Sequence, residues 1–268
     1  MGGDTWRMDA TYTLEQGTAP LLISLPHDGS HIPPAIAERM RPAARRSPDT
    51  DWHVGRLYAP LAQALGASVL RPLASRYVVD LNRPADGHAL YPGRRETGLV
   101  STIGFDGEPL YRDAAAEPDA DEIQRRVNAF WRPYHEALQQ ELARLRSLHG
   151  RVVLWEGHSI RTRVPMLFDG ELPEFNLGTA DGASCGADLQ RKLASVLESQ
   201  QGYSFVVNGR FKGGYITRHY GRPGEGVEAI QLELAQHSYM DEDSFAYAPD
   251  RAPAVQAVIE RLLRACLG

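Results

Sequence analysis

Two histidines in this chain follow short apolar runs that read as buried strands. His27 ends the stretch Leu21-Leu-Ile-Ser-Leu-Pro-His27, and His158 ends Val152-Val-Leu-Trp-Glu-Gly-His158. Open α/β sheets present functional groups at the carboxyl ends of their central strands, so both imidazoles belong on one rim. Either histidine alone reads as a polar strand end satisfied by its neighbours. Two with the same layout point to one shared ion. Two histidines and a carboxylate, with one position open for water, make a hydrolytic zinc centre.

Asp51 is the preferred third ligand, because Asp49-Thr-Asp-Trp-His53 stands just ahead of a helix. His31 and Glu156 are the alternatives. Glu156 qualifies because residues two apart in a strand face the same way. His53 reads as a helix-surface residue. Activated water also needs a group to take its proton, and Glu233, near the end of the late strand Val227–Leu234, is the candidate. Its competing reading is a strand-edge carboxylate paired with a surface cation.

Arg83, directly after Asn82, and Arg161, Arg163 and Arg218 each read alone as solvated surface residues. Together, at sheet-end loops of a chain with net charge −5, they suggest a pocket for an anion, and for two carboxylates better than none. Other chemistries have less support. There is no Gly-x-Ser-x-Gly elbow. Cys185 lacks a histidine that can be placed beside it. The loop Gly209-Arg-Phe-Lys-Gly-Gly214 lacks the Gly-Lys-Ser/Thr ending of a phosphate loop.

These residues need a scaffold. Residues 1–19 read as an irregular or edge-strand lead-in. Strands are expected at Leu21–Leu25, Ser68–Leu70, Tyr77–Asp80, from Val152, at Tyr203–Asn208 and at Val227–Leu234. Helices are expected from Asp49 or Thr50, as cap, to Leu65, at Asp121–Leu148 with a kink or break at Pro133, at Ala187–Gln200 and at Pro253–Leu267. The connection 85–120 is long enough to be functional or mobile. Residues 159–185 and 211–219 read as loops. Alternating strands and helices predict a three-layer α/β/α sandwich with a mixed, mostly parallel sheet, and a single domain over residues 1–268.

The 268 residues are 43% hydrophobic, enough for a sizeable core. The acidic balance argues against a broad nucleic-acid surface. Two distant cysteines fit a reducing cytoplasm rather than a disulfide framework. The start of the chain does not read as a signal peptide, and no apolar run reaches membrane-spanning length, so no membrane partner is expected.

The chain resembles the N-formylglutamate amidohydrolase family from about Pro20 to Met240. The carrying stretches are Ser24-Leu-Pro-His-Asp-Gly-Ser-His-Ile-Pro33, Thr50-Asp-Trp-His53, Val79-Asp-Leu-Asn-Arg-Pro84, Glu156-Gly-His-Ser-Ile-Arg161, Leu167-Phe-Asp-Gly-Glu-Leu-Pro-Glu-Phe-Asn-Leu-Gly-Thr179, Gly213-Gly-Tyr-Ile-Thr-Arg-His-Tyr-Gly221 and Gln231-Leu-Glu-Leu234. The family looks distantly similar to zinc carboxypeptidases and aspartoacylases, which implies a phosphorylase/hydrolase-like fold. In that comparison His27 and His158-Ser159 match the zinc-binding histidines, Asn82-Arg83 a pair that holds the substrate carboxylate, and Glu233 the base. The chain departs at Ser30, where those relatives carry a carboxylate, so Asp51 or His31 must supply the third ligand. The resemblance implies hydrolysis of N-formyl-L-glutamate to formate and L-glutamate in histidine degradation, with a divalent metal, zinc first. Action on another N-acyl amino acid or small peptide is the alternative, and a non-catalytic binder of acidic metabolites is the reading from another class.

Overall fold

The computed structural model describes residue 6, residues 10–90, residue 93 and residues 96–268. Strands β1 (Tyr12–Glu15), β2 (Leu21–Ser24), β3 (Ser68–Pro72), β4 (Val152–Ile160), β5 (Phe175–Gly178), β6 (Phe205–Val207) and β7 (Val227–Ala235) form one sheet. Their order is β1-β3-β2-β4-β7-β5-β6. The pairs β3/β2, β2/β4, β4/β7 and β5/β6 are parallel. The pairs β1/β3 and β5/β7 are antiparallel. The expected mixed, mostly parallel sheet is thus observed.

Strand alternation divides the apolar residues between two cores. Leu21, Ile23, Val153, Trp155, Ile230 and Leu232 face one way. They are covered by α2 (Val54–Leu65), α5 (Ala187–Ser199) and α7 (Ala252–Leu267), through residues such as Leu57, Leu193 and Ile259. Leu22, Val152, Leu154 and Ala229 face the other way, under α3 (Ala120–Arg126) and α4 (Arg132–His149). Two cores on opposite faces of one sheet are what three layers require. Each fully buried Leu, Ile or Val side chain contributes roughly 1.5–3 kcal/mol.

The long helical pattern expected over Asp121–Leu148 is one continuous column, and the interruption is a π-helical turn, Val127–Trp131, before Pro133. Proline has no N–H to complete the α ladder, and a widened turn accommodates that loss without ending the helix. Val127, Tyr134, Leu138, Leu142 and Leu145 keep one face in the core.

Four expectations are corrected. Tyr77–Asp80 is a turn, not a strand. Its apolar residues are buried by packing in the α4-side core, and the backbone bonds locally, Val78 N–H to Ser75 O and Arg83 N–H to Asp80 O. Phe175–Gly178, read within a loop, is β5. The loop read over 211–219 contains a short helix, α6 (Tyr215–Tyr220). Neither Asp49 nor Thr50 caps α2. His53 stands at the N-cap in left-handed conformation, and a cap acceptor comes from a distant segment, Asp28, which accepts from Gly55 N–H at 2.9 Å. A last short helix, α1, spans Pro34–Ala37. Within the 85–120 connection, residues 91, 92, 94 and 95 lie outside the described residues, as do residues 1–5 and 7–9 of the lead-in. Among the described residues no helix is long and apolar enough to cross a membrane. Cys185 and Cys266 are free and buried.

Candidate metal centre and its recess

On the α4 side of the sheet, β4 presents Val152, Leu154, Glu156 and His158 in succession, and β7 presents Val227, Ala229, Gln231 and Glu233. The apolar halves lie in the core. The polar halves lie together at the carboxyl ends, because Glu156 pairs in register with Gln231 and His158 with Glu233. The strand runs straight through His158, so Glu156 and His158 share a face. Gly157 between them points into the opposite core, where a Cβ would lie 2.7 Å from Leu25 Cδ2 and 2.9 Å from Tyr58 Cε2. No larger residue fits there without displacing both.

His27 follows β2 and is tied to Asp51 through the backbone, since the Asp51 N–H donates to His27 O at 3.0 Å. The Asp51 carboxylate then reaches both imidazoles. Its Oδ2 lies 2.9 Å from His158 Nδ1 and 3.8 Å from His27 Nδ1. The ring centroids of His27 and His158 are 4.8 Å apart. His27, Asp51 and His158 are all buried, and one ligand atom from each lies within 4.8 Å of the others.

The outer nitrogens are held by two further carboxylates. His27 Nε2 lies 2.7 Å from Asp80 Oδ1, and His158 Nε2 lies 2.6 Å from Glu156 Oε1. A carboxylate only accepts, so each Nε2 donates outward and each Nδ1 faces Asp51; His158 Nδ1 donates to Asp51 as well, a proton that a bound cation would replace. Asp80 is braced in turn by Arg76 at 2.8 Å and by the Asn82 N–H at 2.9 Å. Glu156 accepts from the N–H of Thr217 at 3.0 Å and from its hydroxyl. Two Nδ1 atoms and a carboxylate oxygen, drawn together in the dry interior, suit a divalent cation. Asp51 Oδ1 is buried without a hydrogen-bond partner, 3.8 Å from Arg76 Nη1.

The electrostatics agree. Burial, and then the Arg76 charge, lower the pKa of His27, favouring the neutral ring that can ligate. Burial acts the same way on His158, but its hydrogen bonds to Asp51 and Glu156 prevail and raise it well above the usual value. A proton held so firmly between two carboxylates marks a place where positive charge is wanted. Burial opposes ionisation of Asp80, yet His27 and Arg76 hold its carboxyl well below the usual range. Glu233 is pushed up to about 8, by burial first and with Asp51 adding, while His158 and Arg76 oppose.

The centre opens into a recess of about 70 Å³ whose walls include His27, Asn82, Arg83, His158 and Glu233. Three other expected residues are not brought there. Arg161 and Arg163 line a separate groove, where Arg161 pairs with Asp243 at 2.9 Å and Arg163 with Glu171 at 2.6 Å. Arg218 lines another groove on α6, its Nε donating to Gly213 O at 2.8 Å. Nearness in sequence to His158 misleads because β4 ends at Ile160 and residues 161–163 line the other groove before Leu167 returns to the recess wall. The recess instead takes Arg76 and Arg210. Arg210 lies in the glycine-rich loop 209–214, whose sequence carries no signal that it reaches the recess. His31, the alternative ligand, forms a bridge with Ala74 and is not in the His27, Asp51, His158 cluster. Glu156, the other alternative, contacts His158 from the outer side.

Buried histidines and carboxylates at the carboxyl ends of central strands, opening on an arginine-lined recess, define an α/β enzyme. A family model described as N-formylglutamate amidohydrolase matches residues 19–240, and the chain belongs to that family of hydrolases. It is 52% identical to an N-formylglutamate deformylase of Pseudomonas aeruginosa and 49% identical to one of Pseudomonas putida, each match covering 97% of both chains. The crystal structure of N-formylglutamate amidohydrolase from Ralstonia eutropha JMP134 superposes with a TM-score of 0.79 at 26% identity, over 96% of this chain and 97% of that one. A protein from Agrobacterium tumefaciens shares the fold, with a TM-score of 0.71 at 17% identity, over 96% of this chain and 94% of that one.

Proposed function

We propose that this chain, acting as one domain in the cytoplasm, hydrolyses N-formyl-L-glutamate to formate and L-glutamate as a step of histidine degradation. The names and close similarity of the Pseudomonas relatives support the substrate. The observation that carries the chemistry is the convergence of His27 Nδ1, Asp51 Oδ2 and His158 Nδ1 beside Glu233.

Those three atoms would hold a divalent metal, zinc first, which when bound supplies Lewis-acid polarisation of the formyl carbonyl. The protein's own groups do the rest. Asp80 and Glu156 fix the imidazole tautomers and orientations. Glu233, in register with His158, takes a proton from the attacking water on its carboxylate and returns it to the departing glutamate nitrogen. Its high pKa suits it to both duties, and a cation beside it would lower that value. Arg83 is anchored by Nε to Thr97 O at 2.8 Å and by Nη1 to Asn82 O at 3.2 Å, and it grips the carboxylate nearest the scissile amide.

Formate release by the purified protein across a panel of N-acyl amino acids tests this reading. N-formyl-L-glutamate should be turned over with the highest kcat/KM. Faster turnover of an N-acetyl or N-formyl neutral amino acid would replace the substrate assignment.

A further inference from the structure

Arginines 76, 83 and 210 share the recess but are placed for different work. Arg76 is committed to the centre itself, bonded to Asp80 at 2.8 Å with Nη1 3.8 Å from Asp51. Arg83 adjoins Asn82, whose Nδ2 lies 3.1 Å from His158 Nε2, and its guanidinium is tethered to Thr97 and to Asn82 O on the recess wall that His158 shares. Arg210 arrives from elsewhere in the chain, the loop after edge strand β6. Its Nε donates to Leu167 O at 2.7 Å, and its guanidinium carbon lies 5.3 Å from the Phe211 ring centre. The recess wall also carries Phe105, Ile160, Leu167 and Phe211, beside the polar Glu96, Thr97 and Gln231.

A glutamyl group offers one carboxylate to each of the guanidinium groups of Arg83 and Arg210. One carboxylate of N-formylglutamate sits on the carbon bonded to the amide nitrogen. The other stands beyond two methylenes. The Arg83 guanidinium, on the wall that His158 shares, suits the first, the methylenes favour the apolar side chains, and the Arg210 guanidinium suits the far carboxylate. We infer that Arg210 binds the side-chain carboxylate of the substrate and is the residue that selects glutamate over its neutral analogues. This deepens the deformylase reading and rests on it.

The test is a comparison of kcat/KM for N-formyl-L-glutamate and N-formyl-L-glutamine, which differ only at the group Arg210 would meet. Metal-loaded wild type, Arg210→Met, Arg210→Lys and Arg83→Met are assayed, with thermal melting to check folding. A site built to pair a charged group loses about 100-fold when that group is left unmatched. Arg210→Met should therefore fall about 100-fold on the glutamate substrate and under about threefold on the glutamine one, removing the discrimination. Arg210→Lys keeps the charge without the planar fork and should retain part of it, which preserves the test if Arg210→Met fails to fold. Arg83→Met should fall on both substrates. Equal losses on both in the Arg210 variants, or none, would overturn the inference while wild-type turnover of N-formylglutamate kept the deformylase reading intact. A wild type that turns over neither substrate would overturn both.

Discussion

Each imidazole of the centre is aimed by a carboxylate on its far nitrogen, and this detail makes the residue-scale argument testable. Asp80→Ala removes the acceptor of His27 Nε2 and frees the ring to turn. Metal affinity, measured by competition with a chromophoric chelator, should weaken about 10–100-fold. Glu233→Gln keeps the shape but cannot take a proton. The kcat should fall roughly 10²–10⁴-fold with little change in KM. Since only the ionised carboxylate accepts a proton, wild-type kcat/KM should rise with pH up to the Glu233 pKa, which lies at about 8 before any cation lowers it. This limb should vanish in Glu233→Gln. His27, His158 and Glu233 are legible in sequence because strand ends announce them. Glu156 is half legible, since its two-residue spacing to His158 sets the face but not the role. Asp80 is misread because Tyr77-Val-Val resembles a strand, although burial there comes from packing.

At the scale of elements, the site depends on α4 and α6 pinning the turn that carries Asp80, Asn82 and Arg83. His135 of α4 donates from Nε2 to Leu81 O at 2.8 Å, accepts from Tyr220 of α6 at 2.9 Å, and stacks on Trp131 at 3.7 Å. Burial, only partly offset by the Leu81 hydrogen bond, lowers its pKa to about 3. The unfolded chain therefore takes up this proton first. The stabilisation is complete above the unfolded value near 6.5 and is lost as pH falls toward 3, by at most ~5 kcal/mol. Urea titrations should show His135→Gln with a flatter stability profile across that window, and an unchanged slope would refute the role. Gly214 is the second pin, because a methyl there would overlap the Asn82 carboxamide, whose Oδ1 accepts from Ile216 N–H at 2.9 Å. Gly214→Ala should cost about 1–3 kcal/mol of stability and lower kcat/KM together, as melting and steady-state kinetics would report. The glycine pair 213–214 is visible in sequence. Its partner Asn82 is not, because 131 residues separate them and only the fold brings them together.

Across the whole molecule, the centre joins four segments that are remote in the chain: the turn after β2, the approach to α2, the turn after β3 and the end of β4. The layered sandwich could be read from alternating strands and helices, since two faces of apolar residues demand two covers. Arg161, Arg163 and Arg218 mislead for the complementary reason: loop position in sequence does not say which groove a side chain lines. Gathering so many charges in one dry place is costly unless a cation completes them. The central claim is that one divalent ion does so and that turnover depends on it. The direct measurement is elemental analysis of the purified protein paired with formate release before chelation, after it, and after stoichiometric zinc is returned. The account predicts one bound ion per chain, loss of activity with that ion and recovery with its return, and full turnover by metal-free protein would contradict it.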